Sequence, residues 1–196
     1  MKKICLLIAA FVICCSLSAQ ETRYFNAADL TVIGKPIPTS KDFTRIDTSA
    51  YKFNDKVIDE YACHSTGLAV LFATDSPLIK ARWVTSEKNA SENMTAIAQK
   101  GLDLYIKKDG EWLDAASKAA GNGKEEDNLV IIKDMDDSMK ECMLYLPIYS
   151  EEYSVKIGVQ EGAVLESIES PFRHRIGIFG SSYTQGISTS RPGMSY

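Results

Sequence analysis

What most constrains the fold of this chain is the make-up of its apolar runs, which are short and rich in β-branched and aromatic residues. Residues 66–72 (TGLAVLF), 78–84 (LIKARWV), 102–106, 129–132, 143–146 and 153–159 (YSVKIGV) are such runs. In 78–84 and 153–159 apolar and polar side chains nearly alternate, the period of a strand with one face buried. Turn-forming clusters separate them: Asp75-Ser76-Pro77, Lys108-Asp109-Gly110 and Gly121-Asn122-Gly123. Several short strands punctuated in this way predict a mainly β fold, an antiparallel β-sandwich or jelly roll, as a domain over 21–165 whose strands begin near residue 25. Residues 21–41 read as a polar leader, and 115–127 (AASKAAGNGKEED) as a surface loop.

The first twenty residues are set apart. Met1-Lys2-Lys3 is a basic start, Ile4 to Cys15 an apolar block, and Ser16-Leu17-Ser18-Ala19 a small-residue stretch, the order of a secretory signal peptide over 1–20. A secreted or periplasmic protein is expected. The bulky Phe11-Val12-Ile13 before Cys14 and Cys15 argues against a lipoprotein. No later segment approaches the ~20 apolar residues of a membrane span. Removing Lys2 and Lys3 takes the 22 basic side chains to 20 against 26 acidic ones, which argues against nucleic acid as a partner. Cys63 and Cys142 would remain in an oxidising compartment, where a disulfide and two separate buried thiols are equally open readings.

After a linker over 166–174 the pattern changes. Ile176, Ile178 and Phe179 form a near-continuous apolar run, as in a central strand covered on both faces, and it leads into Gly180-Ser181-Ser182 and a helix-permissive stretch. Residues 175–196 therefore read as the first strand and turn of an α/β domain. Alone, with no partner sheet, this tail is expected to be mobile or docked only opportunistically. A strand, a glycine turn and a helix start are how several hydrolase folds present a nucleophilic serine. Thr184 stands where a G-x-S-x-G elbow needs glycine, Gly186 is followed by Ile187 and Ser188 rather than Lys-Ser/Thr, and neither Ser181 nor Ser182 has lysine three residues on. The two histidines, His64 and His174, have no ligand at metal spacing, so no metal and no cofactor is expected.

Gly180-Ser181-Ser182-Tyr183, with Thr184-Gln185-Gly186 and Ser190-Arg191-Pro192-Gly193-Met194 behind it, resembles the first catalytic block of the SGNH, or GDSL, hydrolases. The match is to a subgroup of secreted bacterial esterases with a β-rich N-terminal domain named for a Gly-X-Asp-Leu-Tyr motif. This chain carries Gly101-Leu102-Asp103-Leu104-Tyr105, and Tyr145-Leu146-Pro147-Ile148-Tyr149 is similar to the family's YLP-type segment. The resemblance implies Ser182 as the catalytic nucleophile, with Gly180, Ser181 and the Ser182 N–H forming the turn and oxyanion donor. It also implies an α/β, flavodoxin-like hydrolase domain, of which 175–196 is the start, and an ester substrate, with acylated carbohydrate as the substrate class.

In that family a downstream Gly and Asn complete the oxyanion hole and an Asp-x-x-His pair supplies the base. After Ser182 this chain has no histidine, aspartate or asparagine. His174 lies about 25 Å from Ser182 along an extended strand and cannot reach it. His64 reads as a surface or hydrogen-bonded residue of the β domain. The chain is thus expected to be a truncated member, inactive by itself. A non-catalytic β-sandwich module that binds carbohydrate or another partner is the competing reading. Asp103 and Tyr105 are candidate binding residues, although Asp103 would equally serve by bonding nearby backbone. Trp83, Tyr105, Trp112 and Tyr149 are either a sugar-stacking face or core and cross-strand aromatics.

Overall fold

The structure is a computed structural model that describes residues 21–87, 92–119 and 127–195; the signal-peptide reading of 1–20 and the turn at Gly121-Asn122-Gly123 lie outside them. Two antiparallel sheets face each other. The first has the order β1-β9-β4-β7, from Thr22–Asn26, Glu152–Gln160, Ile79–Thr85 and Asp127–Ile132. The second has the order β10-β3-β8-β5-β6, from Leu165–Ser167, Ala69–Thr74, Lys140–Tyr145, Leu102–Lys108 and Glu111–Lys118, with β2 (Thr31–Ile33) also on β3. The predicted sandwich is therefore the observed architecture.

Its core follows from the alternation. In β4 the side chains of Ile79, Ala81 and Trp83 turn inward while Lys80, Arg82 and Val84 are only partly buried, and Val155, Ile157 and Val159 of β9 lie beside them. Val70 and Phe72 of β3, Leu102 and Leu104 of β5 and Leu144 of β8 meet them from the other sheet. The Trp83 indole donates to the Lys100 carbonyl at 2.9 Å, so its one polar atom is satisfied inside the core. Strand β3 is buried along its whole length because the outer face of its sheet is covered too: Ala69, Leu71 and Met143 pack there with Ile33, Tyr105, Trp112, Tyr145 and Ile168. That explains why residues 66–72 read as a continuous apolar run.

Lys108-Asp109-Gly110 makes the two-residue turn between β5 and β6. Asp109 and Gly110 have φ of 53° and 87°, the left-handed pair that matches the twist of a tight hairpin. Two short helices complete the domain: α1 (Lys56–Cys63), capped by the Asp55 carboxylate on the Val57 and Ile58 N–H groups, and α2 (Ala96–Lys100), capped by the Thr95 hydroxyl.

Three segments differ from the sequence reading. The polar leader contributes β1 and β2, edge strands that need only their backbone partners and bury little. Residues 115–118 of the expected loop belong to β6, where the small Ala115 and Ala116 pack on the core. The apolar run 176–179 carries no strand: residues 171–181 have neither helix nor strand, and Ile176 and Phe179 are 85% and 93% exposed. With no strand beside it among the described residues, the run has nothing to pair its backbone with. Cys63 and Cys142 are free thiols, against the disulfide reading; Cys142 is buried as the other reading expects, whereas Cys63 is only half-buried.

Candidate functional site

The tail does not drift from the sandwich. After the exposed stretch 169–183, its chain turns back onto the outer side of the domain and is held there by named bonds. The turn itself is tight. A Cβ on Gly180 would stand 2.1 Å from Thr184 Oγ1, so a side chain there would have to displace Thr184. The Ser181 hydroxyl accepts the Tyr183 N–H at 3.3 Å and caps a single helical turn, α3 (Ser182–Gln185). Gly186 ends it in the left-handed region, φ 102°, where its N–H bonds the Tyr183 carbonyl. Ser182 opens this turn and is exposed to solvent.

The first hold is made by the Tyr145–Tyr149 segment. The Tyr149 hydroxyl donates to the Ser182 carbonyl at 3.3 Å, and the Gln185 amide nitrogen lies 3.2 Å from the Ile148 carbonyl and 3.1 Å from His64 Nδ1. A carbonyl only accepts, so the Gln185 NH2 faces Ile148 and its second hydrogen points to Nδ1, which must accept in turn. His64 therefore holds its proton on Nε2, the nitrogen 4.0 Å from Glu60 Oε1. Burial, and next the neighbouring Tyr61, hold the Tyr149 phenol above its usual range, with Arg45 acting against them, so the donor proton stays in place. Ile187 packs with Ala98, Ile148 and Tyr149 beneath the turn.

The second hold is made by Gly101–Tyr105. Leu102 and Leu104 turn into the core, whereas Asp103 and Tyr105 point out of the sandwich beside Tyr145 and Met143 of β8. Asp103 Oδ2 accepts the Gly193 N–H at 2.8 Å and lies 3.3 Å from Arg191 Nε. Arg191 also donates to the Tyr105 hydroxyl at 3.3 Å and reaches Asp114 at 3.4 Å. A Cβ on Gly193 would meet the Tyr105 ring at 2.5 Å, so ring and glycine are in direct contact. Asp103 is 0% exposed, and its Oδ1 has no hydrogen-bond partner. Burial holds its carboxyl above the usual carboxylate range, opposed by the Gly193 N–H and the Arg191 charge. Arg191 is shifted the other way from ease of deprotonation, held charged first by the Tyr105 hydroxyl and then by the two aspartates. Between the two holds, the Thr95 hydroxyl donates to the Ser190 carbonyl at 2.6 Å.

The partners of Asp103 and Tyr105 here are residues 191–193, in the same docked segment that bears Ser182, and not the Gly180-Ser181-Ser182 turn itself. The backbone that Asp103 bonds is ninety positions away in the chain. His64, read as a surface or hydrogen-bonded residue, is buried and hydrogen-bonded to Gln185, while Ile148 and Gln185 have no role in the sequence reading beyond their motifs. The sugar-stacking reading loses Trp83 and Tyr149, which are 0% and 3% exposed. Of the tail expected to be mobile or docked, residues 184–195 are docked on the sandwich through part-buried contacts. Among the described residues no group of three or more His, Cys, Asp or Glu is placed to hold a metal, and no helix is long and apolar enough to cross a membrane.

A β-sandwich whose outer face clasps a serine-bearing turn defines the class. The model of the GxDLY domain, the N-terminus of the SGNH-hydrolase-type esterases, matches residues 22–165, and this chain belongs to that family. The structure of a protein described as a GDSL-like lipase from Bacteroides ovatus ATCC 8483 superposes with a TM-score of 0.86 at 40% identity, over 89% of this chain and 51% of that one. The salicylyl-acyltransferase SsfX3 of a tetracycline biosynthetic pathway superposes with a TM-score of 0.54 at 20% identity, over 76% of this chain and 42% of that one, a likeness of fold. The chain thus spans about half the length of the solved structures it matches. Comparison with curated proteins gave no significant match.

Proposed function

We propose that the whole protein is an exported serine esterase in which Ser182 is the nucleophile. The observation that carries this reading is the turn: a glycine packed against the Thr184 side chain, a capping Ser181, and an exposed Ser182 whose carbonyl is tied to Tyr149. A serine hydroxyl becomes nucleophilic when a base takes its proton. Ser182 Oγ would attack the acyl carbon, its proton passing to that base and then to the leaving alcohol. Water would next attack the acyl-serine, releasing the acid and returning the proton to Ser182. The Ser182 N–H would face the developing oxyanion. His64 does not serve as the base, since its Nδ1 already accepts from Gln185 and its ring is buried. The base and the remaining oxyanion donors belong to a region of the whole protein outside this sequence.

The substrate class that fits is a short acyl ester, acetyl above all, on a carbohydrate, in keeping with export directed by residues 1–20. The test compares this chain, the whole protein and two variants of the whole protein on p-nitrophenyl acetate and on an acetylated oligosaccharide. Turnover is expected only in the whole protein. Ser182→Ala should lower it by about four orders of magnitude or more, and Ser181→Ala by much less. Undiminished activity in Ser182→Ala refutes the assignment and favours a binding module.

A further inference from the structure

We infer that the Gly101–Tyr105 and Tyr145–Tyr149 segments act together as a clasp for the catalytic turn, with Asp103, Tyr105 and Tyr149 as positioning residues for Ser182 rather than substrate ligands. The inference rests on Ser182 being the nucleophile for its catalytic half; the docking half stands on geometry alone.

The two motifs lie on neighbouring strands or at their ends: β5 carries Asp103 and Tyr105, and β8, which pairs with it, runs straight into Leu146–Tyr149. Each grips a different part of the same short segment. Tyr149 and the Ile148 carbonyl hold Ser182 and Gln185, whereas Asp103 and Tyr105 hold Arg191 and Gly193. Five residues lie between Gln185 and Arg191-Pro192, and Ile187 and Ser190 are anchored within them.

The clasp is made of groups that a free sandwich would not keep. Asp103 is a carboxylate with no solvent exposure and one orphan oxygen, on a face otherwise lined by Tyr105, Tyr145 and Met143. Burying a charge there is unfavourable unless something compensates it, and the compensation comes from the tail: a backbone N–H and a guanidinium. Gly193 and Tyr105 fit each other at ring contact, so the shape is matched as well as the charge. A substrate ligand would point its polar atoms at open space; Asp103 Oδ2 points at the chain's own loop. A misplacement of about 1 Å in a nucleophile lowers the rate by up to about a hundredfold. One grip on the helical turn itself and a second on the loop that follows it supply the rigidity that avoids it.

The experiment has two arms. In this chain, beginning at Glu21, amide hydrogen exchange of residues 183–195 is compared with that of β3 and β9. Tyr149→Phe, Asp103→Ala and Gly193→Ala should each speed exchange in 183–195 by about tenfold or more while β3 and β9 are unchanged. Gly193→Ala alters no sandwich residue, so it tests the clasp even if Asp103→Ala folds poorly. In the whole protein the same variants should lower kcat for p-nitrophenyl acetate about 10- to 100-fold with KM unchanged within about twofold. Asp103→Asn, which keeps an acceptor for the Gly193 N–H, should restore part of the loss. Unchanged exchange in Tyr149→Phe and Gly193→Ala overturns the clasp. Faster exchange with a change confined to KM overturns the positioning role and makes these residues substrate ligands. If Ser182→Ala keeps full activity while the exchange results hold, the nucleophile reading fails and the docking half survives.

Discussion

Replacing Gly101 by alanine tests whether the first motif residue serves the sandwich or the clasp. Gly101 ends α2, giving its N–H to the Ile97 carbonyl at 2.8 Å, and leads into β5. Its φ of −92° is open to any residue, so conformational strain is not the issue. Space is: an added Cβ would stand 2.2 Å from the Lys118 carbonyl oxygen and 2.7 Å from that of Ile97. Both are backbone atoms in a helix and a paired strand, and neither can swing away as a side-chain tip would. Relief requires about 1 Å of separation between α2 and the first rung of the β5–β6 ladder. Overpacking of this kind is unfavourable by about 1–3 kcal/mol. Loss of the capping bond adds about 1 kcal/mol, and the stiffer unfolded chain returns about the same. The net destabilisation is about 1–3 kcal/mol, which at a urea slope near 2 kcal/mol/M lowers the midpoint by about 0.5–1.5 M. Urea titration followed by tryptophan fluorescence is the assay, with Trp83 as the buried reporter. Gly177→Ala, whose Cβ would meet only Phe179 at 3.7 Å, is the control and should leave the midpoint in place. A Gly101→Ala midpoint equal to that of the control refutes the reasoning from close approach.

Other outcomes follow from the same structure. Leu104→Ala, at a position with 0% exposure between the sheets, should destabilise by about 2–5 kcal/mol in the same titration; a loss under about 1 kcal/mol would mean that Leu104 does not face the core. In the chain beginning at Glu21, an aromatic disulfide reagent should titrate the partly exposed Cys63 in the native state and Cys142 only after unfolding, since burial pushes the Cys142 thiol up to about 12; two fast native thiols would contradict this. Asp103 has a folded value above the ordinary 3.8, so its contribution to stability is fully present below 3.8 and is lost as pH rises through the raised value. Asp103→Asn should remove that downward trend from the stability–pH curve, and identical slopes in the two proteins would count against it. Limited trypsin digestion should cut first after Arg173 or Arg175, on the exposed stretch before the turn, and leave the sandwich whole.

The alternation in 78–84 and 153–159 foretold β4 and β9 because these strands are buried on one face only, and local pattern then equals global position. Asp109-Gly110 likewise carried its own turn geometry. Strands β1 and β2 were hidden since an edge strand is held by its neighbour's backbone, which leaves little mark on its side chains. Helix α1 buries only Ala62 and exposes Val57 and Ile58, so no apolar stripe announces it. For the site, Gly180-Ser181-Ser182 stood out through local backbone chemistry, and the Gly101–Tyr105 motif through its resemblance. What these motifs touch was out of reach: Asp103 to Gly193 and His64 to Gln185 span 90 and 121 positions, and no periodicity encodes a contact at that range.

Strands β2 and β10 lie end to end along one edge of β3, the first on Ala69–Leu71 and the second on Phe72–Thr74, and the Thr31 and Ser167 hydroxyls meet between them at 2.8 Å. Two distant ends of the domain therefore share one seam. During synthesis that seam stays half open until residue 167 has left the ribosome, and the next part of the chain to emerge is the one that bears Ser182. The sandwich is thus closed just ahead of the segment it has to grip. A chain cut before Leu165 would keep the grip but lose the segment it holds, and would leave the end of β3 bare, with its backbone groups free to pair with another molecule.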